Sequence, residues 1–415
     1  MMNKEKETEF GPLSGLQVIE LGSTIAGPFC ARLMADFGAD VIKVEQAEGD
    51  AVRSFSHRFQ GYSLYNASIQ RGKKIVSINL RTERGRQLVK QLCVRADIVV
   101  ENFRAGSLEK WGLGYETLSA KNPGLIMVRI SGFGQDGPYS DRGGYGVVCE
   151  AVSGLREITG DPDRPPPRAA TSLADYIAGL YGAFGAMMAL HERAKSGKGQ
   201  VIDSALYEGS FSFMEPHIPA FEKLGVIAKR AGPLLPGNSP NSIYPTRDNR
   251  YILLAAASDA VFGRLAKAMG QPELIKIPNF SSAVARAENQ VECDEIVAKW
   301  THTLDLEDVE IALSQAKVPA ARIYTVKDIF ADPHYHARDM LVNLDDENLG
   351  GVTLTGVVPK LSNTPGKIRW AGRGIGDDTA KVLSDVLKIN DKEIDDLARE
   401  GIIHGREIPE KEKTE

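Results

Sequence analysis

Residues 16–45 read LQVIELGSTIAGPFCARLMADFGADVIKVE, and this stretch decides the fold class. A short apolar run at 16–21 is followed by a helically spaced segment at 29–37 and by a second strand-like run at 39–44. Strand, helix and strand in this order are typical of a βαβ unit, whose two strands pair in parallel. The stretch therefore predicts an α/β protein with a mostly parallel sheet.

The same alternation continues along the chain. Strand signals recur at 75–80, 97–100 and 125–130, with a helical pattern at 84–96. A passage rich in Pro, Gly and Asn then occupies 216–250, and such a change of composition indicates a crossing into a second unit. Further strand and helix patterns follow, and the charged tail, REIPEKEKTE, is predicted to be frayed.

Composition restricts the class of partner. Hydrophobic residues make up 42 % and charged residues 25 % of the chain, as in soluble globular proteins. The formal net charge of −5 argues against a nucleic-acid-binding protein, whose binding face would be basic. Any cationic site should therefore be a local pocket for a small anion, and we expect no nucleic-acid partner.

The compartment is predicted from cysteines and apolar runs. The four cysteines lie far apart without a CxxC pair, so they fit neither a disulfide framework nor a zinc cluster. The N-terminus has no apolar segment of a secretory signal. The most apolar stretch, 176–190, is shorter than the ~20 residues of a membrane span and predicts a helix buried in protein. We therefore expect a cytoplasmic protein without a membrane partner.

The first βα turn, GSTIAGP at 22–28, has two interpretations. A dinucleotide site is suggested by the turn and by Glu45 at the end of the second strand. However, the G-x-G-x-x-G pattern is absent, and Pro28 suits the first turn of a helix. Backbone amides at this helix start can still bind a phosphate or a carbonyl oxygen.

Cations cluster near predicted strand ends. Arg71, Lys73 and Lys74 form one group, and Arg104 with Lys110 forms another. They are either solvated surface charges or the lining of a pocket for a phosphorylated ligand, since Lys and Arg are the usual phosphate partners. The histidines lie at no ligand spacing and there is no HExxH motif, so no metal site is predicted.

Asp175 is the most informative single residue, because it lies at the start of the most apolar helical pattern. Ser172 and Asp175 have the spacing of a capping box, which is a purely structural role. Alternatively, the helix N-terminus stabilises the ionised carboxylate, and the small residues Ala178, Gly179 and Gly182 let a bulky group approach. Such a carboxylate beside a thioester is a competent nucleophile.

Taken together, these segments resemble the family III CoA-transferases, the CaiB/BaiF group that includes formyl-CoA:oxalate and carnitine CoA-transferases. The resemblance runs from about residue 13 to 403. It is carried by LxVIELGxxIAGPxxxRLMADFGADVIKVE, the Gly49-Asp50-x-x-Arg53 step, ADIVVENFRAG, ISGFGQDGPY, SGKGQVIDSALYE and the spacing from Asp175 to the GKGQ at 197–200.

The resemblance implies an architecture. It predicts a large Rossmann-like domain built from 1–220 and from a C-terminal return at 326–415. A smaller α+β domain with its linkers is expected at 221–325. Two subunits are expected to interlock as a homodimer.

The resemblance also implies chemistry: an acyl-CoA:carboxylate CoA-transferase, an enzyme that transfers a sulfur-containing group. Asp175 matches the nucleophile, which would form a mixed anhydride and then an aspartyl-CoA thioester. CoA and acyl-CoA are substrates, and no permanently bound cofactor is expected. Positions expected to contact CoA or the acyl group are Ile25, Ala26, Arg53, Lys73, Lys74, Asn102, Phe103, Arg104, Lys110, Ser131, Gly132, Phe133 and Gln135.

Departures from the family pattern limit the substrate. Gln46 and Ile25 replace an arginine and a glutamine of the formyl-CoA enzymes, and the multi-glycine loop of the oxalate enzymes is missing. We therefore expect a four- or five-carbon dicarboxylate, with succinyl-CoA as a possible donor. The alternative is an α-methylacyl-CoA racemase, whose relatives carry a His-Asp step where this chain has Gly143-Gly-Tyr145-Gly146. Without that histidine a two-base mechanism loses a partner. A CoA-binding protein without activity is a further alternative.

Overall fold

The computed structural model describes residues 10–405, and the chain divides into two compact units. Unit 1 contains the described residues up to Leu155, then Ala169–Pro219, and the described residues from His334 onward. Unit 2 contains Arg156–Arg168 and Ala220–Pro333. The predicted frayed tail at 406–415 lies outside the described residues.

The strands are β1 Gln17–Glu20, β2 Asp40–Glu45, β3 Arg58–Phe59, β4 Tyr62–Ser63, β5 Lys74–Ile78, β6 Ile98–Glu101, β7 Ile126–Ser131, β8 Val201–Ala205, β9 Asn241–Pro245, β10 Tyr251–Ala255, β11 Ala320–Arg322, β12 Leu341–Asp346, β13 Gly350–Thr355 and β14 Ile403–His404. The α-helices are α1 Ala26–Asp36, α2 Leu64–Ile69, α3 Glu83–Arg95, α4 Ser107–Lys110, α5 Tyr115–Ser119, α6 Gly146–Val152, α7 Leu173–Ser196, α8 Leu206–Phe211, α9 His217–Leu224, α10 Asp259–Ala268, α11 Ala283–Glu288, α12 Gln290–Thr301, α13 Leu306–Gln315, α14 Val326–Ala331, α15 Pro333–Ala337, α16 Thr379–Leu387 and α17 Asp391–Arg399.

Unit 1 is organised around a seven-stranded sheet of order β14-β5-β2-β1-β6-β7-β8. Its neighbours pair in parallel, with the exception of β14, which runs antiparallel to β5. Counted without β14, the strands have the 3-2-1-4-5-6 order of Rossmann-type sheets. The prediction of an α/β protein with a mostly parallel sheet is confirmed.

The first βαβ unit forms where the sequence predicts it. The strand run at 16–21 becomes β1, the segment at 29–37 lies in α1, and the run at 39–44 becomes β2. Val18 pairs with Val41 on one side and with Ile98 of β6 on the other. Parallel strands flank β1 on both edges, and helices cover both faces of the sheet. Strand β1 is therefore buried on both faces, and its near-continuous apolar run follows from that position.

Two apolar cores cover the faces of this sheet. One packs α1 and α7 against one face and includes Cys30, Met34 and Ala186. The other packs α3, α16 and α17 against the opposite face and includes Leu92, Leu383 and Leu397. Residues far apart in sequence therefore share one core, and β14 adds the last strand beside β5.

Helix α7 approaches its neighbours closely, because its buried positions are all alanine or glycine. A Cβ atom on Gly179 would lie 2.7 Å from the Ala26 carbonyl oxygen of α1, and one on Gly182 would lie 2.9 Å from the Val128 side chain. Gly179 and Gly182, which are expected from the sequence to let a bulky group approach, thus make room for α1 and the sheet. By length and composition α7 is also the one helix of residues 10–405 that could span a membrane.

Unit 2 is a small α+β structure. Its antiparallel sheet has the order β11-β10-β9, with Leu253 opposite Ile243. Helices α10, α12 and α13 enclose an apolar core with this sheet, which includes Tyr244, Phe262 and Val297.

Candidate functional site

A cavity of about 230 Å³ opens in unit 1 at the carboxyl ends of the parallel strands. Its lining residues are Ser23, Thr24 and Ala26 after β1, 102–105 after β6, Ile130, Ser131 and Gly132 at the end of β7, Leu206 after β8, Ser140, 142–145 and Asp175. Strand order reverses between β1 and β6, and open α/β sheets bind ligands in the crevice at that point. A second cavity of about 80 Å³ adjoins it, since Ser23 and Phe103 line both.

Asp175 lies in the first turn of α7, half-buried at this cavity. The Ser172 side chain at the helix N-cap makes no capping hydrogen bond, so Ser172 does not complete the capping box. Gly146 at the start of α6 faces the carboxylate, and a Cβ at that position would lie 2.1 Å from Asp175 Oδ2. The absence of a side chain at Gly146 therefore leaves Asp175 its place at the cavity.

Aromatic residues fix the first turn of α7 beside Asp175. The Tyr176 ring packs edge-on against Phe29, with centroids 4.7 Å apart, and its hydroxyl lies 2.8 Å from that of Tyr65. Burial, the hydrogen bond with Tyr176 and the nearby Asp175 charge raise the pKa of Tyr65. Tyr65 therefore stays protonated at neutral pH. Its hydrogen bond with Tyr176 joins α7 to α2, while the Phe29 contact joins α7 to α1.

The loops after β1 and β6 are joined by side-chain amide bonds. The Ser23 backbone N–H donates to Asn102 Oδ1 at 2.7 Å, and Asn102 Nδ2 donates to the Ser23 carbonyl oxygen at 2.8 Å. Next to it, the Phe103 N–H donates to Glu101 Oε2 at 2.7 Å, while the other oxygen of Glu101 accepts from Arg129. Both loops are thus held rigidly at the floor of the cavity.

Two guanidinium groups, those of Arg104 and Arg142, line the cavity. The Arg142 guanidinium stacks over the Tyr139 ring at 3.5 Å from its centroid. Asp175 is the one carboxylate among the described lining residues, so the cavity carries a net positive charge. Such a pocket favours anionic ligands, although the chain as a whole is acidic.

The nearby thiol is not a nucleophile. Cys149 is buried, and its Sγ lies 3.3 Å from the Gly132 carbonyl oxygen. Burial and the Asp175 charge raise the pKa of Cys149 to about 12, so the thiol stays protonated at neutral pH. No group of His, Cys, Asp or Glu within residues 10–405 is arranged to hold a metal ion.

The structure divides the residues predicted from sequence into two sets. Those that line the cavity are Ala26, Asn102, Phe103, Arg104, Ser131, Gly132 and Asp175. Those that do not line it are Ile25, Arg53, Lys73, Lys74, Lys110, Phe133 and Gln135.

Lys73, an expected CoA contact, lies in a fully buried network. Its ammonium is fully buried and donates to Glu20, to the Pro28 carbonyl oxygen and to Gln70 at 2.7–2.8 Å. Burial lowers the pKa of Lys73 to about 8, despite the attraction of Glu20. A side chain in this position braces the sheet against α1 and has no free donor for a phosphate.

Three further cations lie outside the cavity. Lys74 pairs with Asp40 at 2.8 Å. Arg53 donates to both oxygens of Glu45 and to the Arg373 carbonyl oxygen, and it lines a different cavity. Lys110 is exposed at the end of α4.

The remaining members of the second set have structural surroundings. Ile25 packs with Val52 and Ile69, and Phe133 belongs to the core under α7. The Gln135 N–H donates to Asp203 Oδ2 at 2.7 Å, while both atoms of its side-chain amide are buried without a hydrogen bond to another described residue.

Sequence reasoning missed several lining residues, above all Thr24, Arg142 and Leu206. Arg142 follows the GFGQDGPY segment, and Leu206 lies within the QVIDSALYE segment, so position beside or inside a motif is the available signal. Thr24 has a positive φ of 72°, a conformation that no sequence pattern discloses for a threonine.

Known proteins resemble this chain over nearly its whole length. A model of the CoA-transferase family III matches residues 13–379. Succinyl-CoA--D-citramalate CoA-transferase of Chloroflexus aurantiacus is 46% identical over 93% of this chain and 96% of its own length. Succinate--glutarate CoA-transferase of Agrobacterium fabrum is 35% identical over 91% and 96%. A CaiB/BaiF family protein of Brucella suis superposes with a TM-score of 0.81 at 34% identity, covering 91% of this chain and 100% of that one.

The chain therefore belongs to CoA-transferase family III. It is an enzyme, a CoA-transferase, as are the named relatives across most of its length. The resemblance stated from the sequence is confirmed.

Proposed function

We propose that the protein transfers CoA from succinyl-CoA to a small dicarboxylic acid through a covalent intermediate on Asp175. The observation that carries this proposal is the position of Asp175, the one carboxylate among the described residues of a cationic cavity at the sheet's switch point. A carboxylate there is within reach of a bound thioester and of an acid, both of which are anionic ligands. These are the two substrates that a CoA-transferase brings together.

The chemistry follows from a carboxylate nucleophile. An oxygen of Asp175 attacks the thioester carbonyl carbon, the C–S bond breaks, and CoA leaves as the thiolate. The resulting mixed anhydride is attacked at the Asp175 carbonyl carbon by the thiolate, which releases the donor acid and leaves an aspartyl-CoA thioester. The acceptor carboxylate then attacks that carbonyl carbon and expels the thiolate, which gives a second mixed anhydride. The thiolate attacks the acceptor's acyl carbon in this anhydride, which gives the new acyl-CoA and regenerates the Asp175 carboxylate.

The substrate class is supported by the relatives' names. The chain resembles enzymes named for succinyl-CoA with D-citramalate, L-malate and mesaconate, and one named for succinate and glutarate. All of these acids carry two carboxylates and four or five carbons. The cavity volume of about 230 Å³ suits an acyl group of this size together with the thioester.

The surroundings of Asp175 argue against the racemase alternative. A racemase needs a second base on the opposite face of the α-carbon. In the segment 143–146, where its relatives carry the His-Asp step, this chain has three glycines and the exposed Tyr145. The described lining residues include no histidine and no second carboxylate.

The experiment incubates the purified protein with succinyl-CoA and a panel of mono- and dicarboxylic acids, and measures each acyl-CoA product. We expect transfer to four- and five-carbon dicarboxylates and a hydroxylamine-trapped derivative on Asp175 by mass spectrometry. Asp175→Ala should fold, bind CoA and lack transfer. Turnover by that variant at the wild-type rate would refute the mechanism, and transfer to monocarboxylates alone would refute the substrate class.

We further propose a cytoplasmic setting, which is supported by four free, buried cysteines.

We also propose a homodimer. The dimer is supported by the outer face of α7, where Leu180, Phe184 and Met188 are each more than half exposed. A contiguous exposed apolar face of this kind marks an interaction surface. Light scattering should give twice the chain mass for the wild type and a lower mass for Phe184→Glu; a monomeric wild type would contradict the proposal.

A further inference from the structure

The turn that connects β1 to α1 contains a strained residue at the edge of the cavity. Thr24 has φ 72°, and it lines the cavity together with Ser23 and Asp175. A β-branched residue is rare and strained in the left-handed region of the backbone. Such strain persists where the surrounding structure imposes it.

Asp50 holds Thr24 in this conformation. One carboxylate oxygen of Asp50, Oδ1, accepts from the Thr24 N–H at 2.9 Å, the Ser23 hydroxyl at 3.2 Å and the Val52 N–H at 3.0 Å. The Thr24 N–H makes this hydrogen bond in the positive-φ conformation of the turn. Asn102 holds the other side of the same turn through both backbone groups of Ser23.

Asp50 is itself fixed by a buried charge network. Its second oxygen pairs with Lys43 at 2.9 Å, and Lys43 also donates to Glu20 at 2.9 Å and to the Gly22 carbonyl oxygen at 2.7 Å. Glu20 pairs in turn with Lys73. Two ammonium and two carboxylate groups thus balance each other below the turn, and Lys43 ties the network to the residue that precedes Ser23.

Behind the turn begins α1. No side chain caps this helix, and its first backbone N–H groups have no intrahelical acceptor. Ala26, its first residue, lines the cavity. Donors fixed at the place where negative charge develops lower an acyl-transfer barrier only if their positions are set before the reaction.

We propose that Asp50 is a positioning residue: it holds the Ser23–Thr24 turn in its left-handed conformation and so fixes the start of α1 against the acyl group that Asp175 attacks. This inference rests on the proposed function for the identity of the acyl group. Asp50 lies behind the turn and lines the adjoining cavity of about 80 Å³, not the main cavity, so we assign its effect on the reaction to the turn that it holds.

The test compares Asp50→Asn, Thr24→Gly and the double variant in the succinyl-CoA assay. We expect Asp50→Asn to lower kcat by about 10- to 100-fold, with KM for acyl-CoA within about 3-fold, since misplacement of about 1 Å costs up to this much. Glycine adopts φ 72° without strain, so Thr24→Gly should restore kcat of the Asp50→Asn enzyme several-fold. The matched control is Asp36→Asn, because Asp36 is equally buried and pairs with Arg71 away from the cavity; it should lower stability and leave kcat unchanged.

A second measurement does not depend on activity. Hydrogen exchange of the peptide covering 20–30 should accelerate in Asp50→Asn and not in Asp36→Asn. If Asp50→Asn does not fold, Thr24→Pro replaces it. Proline lacks the backbone N–H that donates to Asp50 and cannot adopt a positive φ, so Thr24→Pro should lower kcat in the same way.

An unchanged kcat in Asp50→Asn, or a loss that Thr24→Gly leaves unrepaired, would overturn the inference. If the wild type transferred no CoA at all, the proposed function would fail by itself, and the exchange experiment would still decide the role of Asp50.

Discussion

Gly146 and Asp175 stand so close that a single methyl group does not fit between them: a Cβ on Gly146 would lie 2.1 Å from Asp175 Oδ2. The carboxylate would have to turn away to admit any side chain there. Two elements that are distant in sequence, α6 and the first turn of α7, therefore define the direction of the nucleophile together.

Gly146→Ala should consequently lower kcat by about 100-fold, because near-attack geometry is sensitive to displacements of about 1 Å. The measurement is single-turnover transfer from succinyl-CoA, with the melting temperature recorded in parallel. Gly263→Ala is the control, since a Cβ on Gly263 in α10 meets nothing within 4 Å. Full activity in Gly146→Ala would show that Asp175 does not need its present orientation.

Incubation with 2-methylacyl-CoA in deuterated water, without an acceptor acid, should give no deuterium at the α-carbon. CoA exchange through an anhydride leaves that carbon untouched, and racemisation would exchange its proton. The reading is by mass spectrometry of the recovered thioester, with the Asp175→Ala variant as the blank. Rapid deuteration that depends on Asp175 would favour the isomerase.

Arg104→Ala should raise KM for acyl-CoA by about 10- to 100-fold, the loss of one charge-assisted hydrogen bond of about 1.5–3 kcal/mol. The effect on kcat should be small, because Arg104 is expected to bind a part of the ligand that does not react. Arg84→Ala serves as control, since Arg84 pairs with Glu393 and does not line the cavity. Equal KM values for Arg104→Ala and the wild type would place the CoA phosphates elsewhere.

Lys73→Met should destabilise the protein by about 3 kcal/mol or more, because it leaves Glu20 buried with one cation fewer. Lys74→Ala should change the free energy of unfolding by no more than about 1 kcal/mol, since its pair with Asp40 is partly exposed. Urea unfolding measures both. A raised KM for acyl-CoA in Lys73→Met, without loss of stability, would restore this lysine to the CoA site.

The stability difference between wild type and Asp50→Asn should depend on pH. Burial alone raises the pKa of this carboxyl, but Lys43 and the hydrogen bonds from Val52 and Thr24 lower it to about 2, from 3.8 in the unfolded chain. The unfolded state thus binds more protons between these values, and the stabilisation is present above about pH 4 and lost as the pH falls towards 2. The difference should be about 1 kcal/mol larger at pH 5 than at pH 3 by urea unfolding; a difference independent of pH would mean that Asp50 is not held ionised.

Sequence patterns predicted the first βαβ unit to within a few residues, because β1, α1 and β2 are short, strongly patterned segments. They also drew attention to Asp175. The surroundings of Lys73 could not be predicted, for a physical reason: its burial depends on Glu20, which lies 53 residues earlier and meets it through the strand order of the sheet. A local motif cannot distinguish a lysine that binds phosphate from one that neutralises a distant glutamate.

The strained turn was equally inaccessible to sequence reasoning. Thr24 is a residue that normally avoids positive φ, and its conformation follows from Asp50 and Asn102, neither of which is its neighbour in sequence. The Gly49-Asp50-x-x-Arg53 step is visible in the sequence as a pattern, but the hydrogen bonds of Asp50 to the turn are visible only in the structure.

The shared core of unit 1 sets an order of events during synthesis. Ile394, Leu397 and Ile403 complete the apolar layer that also contains Leu92, and the ribosome makes them after all of unit 2. Unit 2 has its own core and can close while the sheet still lacks α16, α17 and β14. Domains fold as units during translation. Unit 2 can therefore complete its core first, while one face of the unit 1 sheet is covered only in part, with α3 in place, until α16, α17 and β14 have been synthesised.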